Sequence, residues 1–141
     1  MKKIFISSDH AGYNLKESIK VFLNKKGYKY SDLGPTNDNR VDYPDFAHKV
    51  AKKVKTNKNN VGILVCGSGM GMNITANRHK NIRAAQCFNL KSTKLSRLHN
   101  DANIITLGSR LLKNKIVMQL INVFLTTKFE GGRHKKRINK I

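Results

Sequence analysis

Residues 61–65, Val-Gly-Ile-Leu-Val, form a short apolar run, and Cys66-Gly67-Ser68-Gly69-Met70-Gly71 follows it directly. A brief β-branched run reads as a strand covered on both faces. Three alternate glycines then let the backbone turn sharply and expose its N–H groups. Met70 to Asn77 reads as the first turns of a helix. Strand, glycine loop and helix N-terminus together make an anion site. Cys66 places a nucleophile or a base at its rim. The loop is not a dinucleotide fingerprint, because the glycine spacing is wrong and it follows the third strand. Nor is it a Walker loop, since no Lys-Ser/Thr follows. A plain tight turn and an oxyanion or phosphate cradle both fit the pattern, the cradle better.

The rest of the chain alternates in the same way. Ile4 to Ser8 is a strand, and Leu15, Ile19, Phe22 and Leu23 then recur at helical spacing until Gly27. Tyr28 to Leu33 is a weaker strand closed by Gly34-Pro35, and 36–42 is polar loop. Tyr43-Pro44-Asp45 opens a second helix, with proline acceptable in the first turn. Arg83 to Cys87 is a fourth strand, Leu90 to His99 a helix, and Asn103 to Leu107 a fifth strand. Lys113 to Thr127 is a long helix, followed by a basic tail over 129–141. No internal repeat or linker divides the chain, so one domain over 1–141 is expected.

Strands alternating with helices imply right-handed crossovers and a parallel sheet with helices on both faces, an α/β fold. Ligands in such sheets sit beyond the carboxyl ends of the strands. Those ends carry Asp9-His10, Cys66 to Gly71, and Gly108-Ser109-Arg110. This convergence marks an active site.

Composition narrows the setting. The 141 residues suffice for a core. There is no apolar run of transmembrane length, and the basic start leads into a short strand instead of a signal segment. A cytoplasmic protein with two free thiols, Cys66 and Cys87, is therefore expected. The formal net charge is +20. The lysines are scattered, however, and only 133–137 is a dense basic cluster. No nucleic-acid module accompanies the charge, so no specific nucleic-acid partner is expected. The field should still draw anionic metabolites.

Each candidate residue has a plain reading beside the chemical one. Cys66 could be a small apolar strand end, but a thiol near exposed amides and a helix N-terminus ionises more readily. Cys87 reads as core packing within its strand. His10 could simply cap a helix. His99-Asn100-Asp101 could be a helix C-terminal turn. Arg133 and Arg137 lie four apart and could grip one anion from one helix face, or could belong to a fraying tail. His48 and His79 read as surface residues without companions. No His, Cys or acidic pair has convincing ligand spacing, so no metal is expected.

Six motifs in order, spread over almost the whole chain, carry a resemblance: Ser8-Asp9-His10-Ala11-Gly12, Asp42-Tyr43-Pro44, Cys66 to Gly71, Arg97 to Asn103, Gly108-Ser109-Arg110, and Glu130 to His134. Together they resemble ribose-5-phosphate isomerase type B, in the sugar-phosphate isomerase family that includes the galactose-6-phosphate isomerase subunits. Ser68 stands where many members have Thr. Met72 stands where another branch carries a glutamate base, so the chain resembles the cysteine branch.

The resemblance implies a Rossmann-like three-layer α/β/α sandwich with a five-stranded parallel sheet. It implies a homodimer able to pair into a tetramer, with active sites at the subunit interface. It implies interconversion of ribose 5-phosphate and ribulose 5-phosphate without cofactor or metal. Carried over by position, Cys66 is the general base and His99 the acid that opens the sugar ring. The Ser68 hydroxyl donates a hydrogen bond. Gly67, Ser68, Gly69, Met70 and Gly71 offer N–H groups to the enediolate. His10, Arg133 and Arg137 hold the phosphate. Asp9, Tyr43, Asn100 and Arg110 bind or orient the sugar, and the 129–141 tail completes the site. Hexose 6-phosphate isomerisation on the same site is the alternative, and a non-catalytic sugar-phosphate or nucleic-acid binder a more distant one.

Overall fold

A computed structural model describes residues 2–141. The strands are β1 (Ile4–Ser8), β2 (Tyr30–Asp32), β3 (Val61–Cys66), β4 (Ala84–Gln86) and β5 (Ile104–Gly108). The helices are α1 (Tyr13–Lys25), α2 (Tyr43–Val54), α3 (Met70–Ala76), α4 (Leu90–Asn100), α5 (Asn114–Thr126) and α6 (Gly132–Ile138). All strand pairs are parallel, and the sheet order is β2-β1-β3-β5-β4. This is the expected α/β sandwich.

Alternate residues of each strand face opposite layers. Ile4 and Ile6 pack with Leu15, Ile19, Ile121 and Phe124 on the side of α1 and α5. Phe5 and Leu64 pack with Val50, Val54, Met72 and Ala76 on the side of α2 and α3. Side chains like Phe124, wholly buried, each contribute roughly 1.5–3 kcal/mol. Helix α4 lies beside α5, and α6 packs on α4.

The order reverses between β1 and β3: β2 lies outside β1, whereas β5 and β4 lie beyond β3. Such a switch point opens a crevice at the strand ends. The register brings three ends level there, because Ser8 pairs with Val65 and Cys66 with Gly108. Asp9, Cys66 and Ser109 therefore leave the sheet side by side.

The termini of the weaker elements differ from the sequence reading. β2 begins at Tyr30 and β4 ends at Gln86, so Cys87 lies just past its strand, still buried. Both are sheet-edge strands, which pair on one side only and so end earlier. The tail is not a fray, since 132–138 is helical. The sequence also gave no sign that Lys16 is wholly buried. Its Nζ donates to both Asp32 carboxylate oxygens, at 2.9 and 2.7 Å, and to the Pro35 carbonyl at 2.9 Å. That cation ties α1 to the end of β2. Burial alone would raise the Asp32 carboxyl, but hydrogen bonds from Lys16, Lys20 and the Gly34 N–H bring it below its usual value.

Candidate active site

Strand β3 ends at Cys66, and the next residues cannot continue the ladder. Gly69 takes φ +80°, a left-handed conformation that suits glycine. A Cβ there would come 2.9 Å from the Leu107 carbonyl carbon. This turn folds the loop back so that the Gly69 N–H donates to Cys66 Sγ at 3.1 Å. The Met70 N–H donates to Ser68 Oγ at 3.2 Å. Two of the five loop N–H groups expected to meet an enediolate are thus engaged within the loop. The expectation narrows to Gly67, Ser68 and Gly71.

Neighbouring strand ends brace this turn. The Ser109 N–H donates to the Cys66 carbonyl at 2.8 Å, and the Arg110 N–H to the Gly67 carbonyl at 3.0 Å. Ser109 Oγ donates to the Ala11 carbonyl at 2.9 Å, linking the loops after β5 and β1. Asp9, nearly buried, accepts the Gly12 N–H at 2.9 Å on one carboxylate oxygen. His10 Nδ1 lies 3.3 Å from the Val41 N–H and 3.2 Å from its carbonyl oxygen, so Val41 pins the ring in either tautomer. Tyr43 stands against Gly71, where an added Cβ would meet the ring at 2.6 Å.

These groups line one cleft of about 360 Å³. Of the expected site residues it brings together Asp9, His10, Tyr43, Cys66, Gly67, Ser68, Gly71 and Arg110, with Ala11 and Leu111 completing the wall. Gly69 lies in the turn behind the thiol, and Met70 is half exposed at the start of α3. The size suits a phosphorylated sugar.

His99, Asn100, Arg133 and Arg137 do not line that cleft. His99 and Asn100 end α4, and Asp101, at φ 43°, turns the chain back into β5. They lie where β5 begins, whereas Cys66 lies where it ends. The five residues of β5 alone put roughly 13 Å between those edges. Within one chain His99 therefore does not reach Cys66.

The second group is itself organised. The His99 and His134 rings stack, with centroids 4.2 Å apart and planes 13° from parallel. Arg133 and Arg137 share α6, as their spacing predicts. The Glu130 N–H donates to the Leu98 carbonyl at 3.1 Å, fastening the approach to α6 onto α4. Nearly buried, Arg97 donates to Asp101 Oδ1 at 2.8 Å and to the Thr127 and Ala102 carbonyls. It fixes the turn carrying His99 and Asn100.

Sequence reasoning missed several groups. Gln86 Nε2 donates to the Ser68 carbonyl at 2.7 Å, and Asn73 Nδ2 to Thr106 Oγ1 at 3.1 Å, holding loop and helix to the sheet. His48 and His79 are not solitary: Nδ1 of one lies 2.7 Å from Nε2 of the other. Pairs 31 residues apart leave no local pattern. The ligand atoms of His99, Glu130 and His134 fall within 4.8 Å of one another, the one such group of three among the described residues. Spacing along the chain did not reveal that convergence.

Comparison with known proteins agrees with the fold. The Ribose/Galactose Isomerase family model matches residues 4–141. The solved ribose-5-phosphate isomerase B of Clostridium thermocellum superposes with a TM-score of 0.95 at 46% identity, over 98% of this chain and 93% of that one. That of Mycoplasma genitalium, solved with bound ribulose-5-phosphate, gives 0.94 at 44% identity, over 98% and 92%. Ribose-5-phosphate isomerase B of Escherichia coli is 39% identical, over 100% of this chain and 95% of the relative. With matches along almost its whole length, the chain belongs to the Ribose/Galactose Isomerase family.

Proposed function

We propose that this protein interconverts ribose 5-phosphate and ribulose 5-phosphate by a cofactor-free proton transfer. The observation that carries the reading is the Cys66 thiol at the sheet switch point, facing a sugar-sized cleft with a backbone N–H on its sulfur. Relatives that share the fold are named for this reaction, one of them with the product bound.

His99 protonates the ring oxygen while the C1 hydroxyl gives its proton to solvent, and the sugar opens to the free aldehyde. The Cys66 thiolate removes the proton from C2 of the open aldose. Electrons move to the C1 carbonyl, and the resulting enediolate oxygen meets loop N–H groups of Gly67, Ser68 and Gly71. The C2 hydroxyl proton passes to the oxygen on C1 as the proton held by sulfur returns to C1, giving the ketose and restoring the thiolate. Fixed donors beside the developing charge lower the barrier because they need no reorganisation. His10, Arg133 and Arg137 hold the phosphate, and Asp9, Tyr43, Asn100 and Arg110 orient the hydroxyls.

This role for His99 requires a second subunit. We assign the working form to a homodimer in which one protomer supplies the cleft and its partner supplies His99, Asn100, Arg133 and Arg137. The distance between the two groups within one chain supports it. No helix of the described residues is long and apolar enough to cross a membrane. The thiol base, which needs a reducing setting, fits the cytoplasm.

The test is kcat/KM for the purified protein on ribose 5-phosphate beside allose and galactose 6-phosphates. Preference for the pentose phosphate supports the assignment, and preference for a hexose phosphate moves the substrate but not the chemistry. Turnover of none of them refutes the enzyme reading.

A further inference from the structure

We propose that Gln86 is a positioning residue for the Cys66 thiolate, acting through the Ser68–Gly69 peptide. Gln86 ends the edge strand β4, opposite Thr106 of β5, and its side chain meets the loop that follows β3. There Nε2 donates to the Ser68 carbonyl at 2.7 Å. A carbonyl oxygen only accepts, so the amide nitrogen must face it. The same peptide unit carries the Gly69 N–H, which donates to Cys66 Sγ at 3.1 Å. The unit is trans, Gly34-Pro35 being the cis bond among the described residues. In a trans peptide the C=O and N–H point in opposite directions. One plane is thus gripped at both ends, by Gln86 at its oxygen and by the sulfur at its N–H.

The backbone of β5 stands directly behind this plane. A Cβ added at Gly108 would come 2.6 Å from the Ser68 carbonyl oxygen, and one added at Gly69 would come 2.9 Å from the Leu107 carbonyl carbon. Against that backing, the Gln86 amide sets the direction of the carbonyl and so the aim of the N–H. Rotating the plane would turn the N–H off the sulfur. A hydrogen bond to a charged acceptor is stronger than one to a neutral acceptor, so the loss falls mainly on the thiolate and not on the thiol. Asn73 Nδ2 donates to Thr106 Oγ1 at 3.1 Å and also ties this region to the sheet, but through side chains and away from the Ser68–Gly69 peptide. Both residues tether, and Gln86 alone aims an N–H. That the aimed thiolate is the base rests on the isomerase reading above. The aiming itself does not.

The experiment follows Cys66 ionisation without substrate, as the thiolate ultraviolet absorbance of the full chain against pH. Each protein is read as the difference from its own Cys66→Ala counterpart. Gln86→Met removes the donor and keeps the length of the side chain. Its thiolate fraction at neutral pH should fall by about threefold or more, with the whole curve moved to higher pH. Its kcat/KM on ribose 5-phosphate should fall by the same factor at neutral pH and return towards the wild-type value at high pH, where the thiolate is complete. Gln86→Val repeats both readings with a residue that favours strands, and circular dichroism confirms that each variant folds. Asn73→Ala, which loosens only a tether, should leave the absorbance curve in place. Coincident curves for wild type and both Gln86 variants overturn the proposal. So does an equal displacement in Asn73→Ala, which would make Gln86 one tether among several. Displaced curves for the Gln86 variants of a chain inactive on every sugar phosphate refute the isomerase reading and uphold the positioning of the thiolate.

Discussion

The Gly69 N–H points at the Cys66 sulfur from 3.1 Å, and the residue that donates it is the one that turns the loop at φ +80°. One glycine thus sets both the path of the chain and the group facing the thiol. A hydrogen bond of this kind strengthens when its acceptor is charged. A thiolate at Cys66, which the proposed mechanism requires, would hold this contact more tightly than a thiol.

Gly69→Ala should therefore harm both properties. A methyl group would press on the Leu107 backbone at 2.9 Å in a conformation that alanine resists. A loss of about 1–3 kcal/mol in stability is expected, with kcat falling by roughly 10² as the thiol moves. Denaturant unfolding and steady-state kinetics check this. Unchanged values for both would show that the turn is not needed.

The separation of His99 from Cys66 predicts complementation. In the proposed homodimer, Cys66→Ala and His99→Asn proteins should each be almost inactive. Mixed and refolded together in equal amounts, they should recover about a quarter of wild-type activity, because each two-fold hybrid holds one intact site. No recovery, with hybrid formation verified by mass, would place both residues in one chain's site.

Arg137→Ala should act mainly on KM. Phosphate is held alike in ground and transition states, so its loss removes uniform binding. A large fall in kcat at unchanged KM would instead assign Arg137 to the chemical step.

The His48–His79 pair predicts a pH effect on stability. Burial, then His48 and the cations of Lys55 and Lys52, hold the His79 imidazole below its ordinary value of 6.5. The unfolded chain then binds a proton that the folded chain resists, so stability rises with pH across that interval. This pair's contribution is intact above pH 6.5 and falls as pH drops below it. Melting temperatures between pH 5 and 8 should show that slope, and His79→Asn should flatten it. An equal slope in the variant would assign it to other groups.

Much of this was legible in the sequence because it is local. The apolar run at 61–65, the alternate glycines and the helical stripes are patterns of neighbours, and parallel crossovers then force the strand ends together. Asp9, Cys66 and Arg110 met in one cleft for that reason. What stayed hidden is non-local. Lys16 reads as a surface lysine until Asp32 and the Pro35 carbonyl close over it. His48 meets His79, and His99 meets Glu130 and His134, only through packing between separate elements. The motifs at His99 and Arg133 could be recognised, but nothing in their order placed them at the far edge of the sheet.

The central claim is that the Cys66 thiol moves the C2 proton. The direct measurement is the rate of ribulose 5-phosphate formation from ribose 5-phosphate by wild type and by Cys66→Ala, each verified as folded. The account predicts a rapid wild-type reaction and a fall of at least ~10²–10⁴ without the thiol. A Cys66→Ala protein that isomerises at close to the wild-type rate would contradict it.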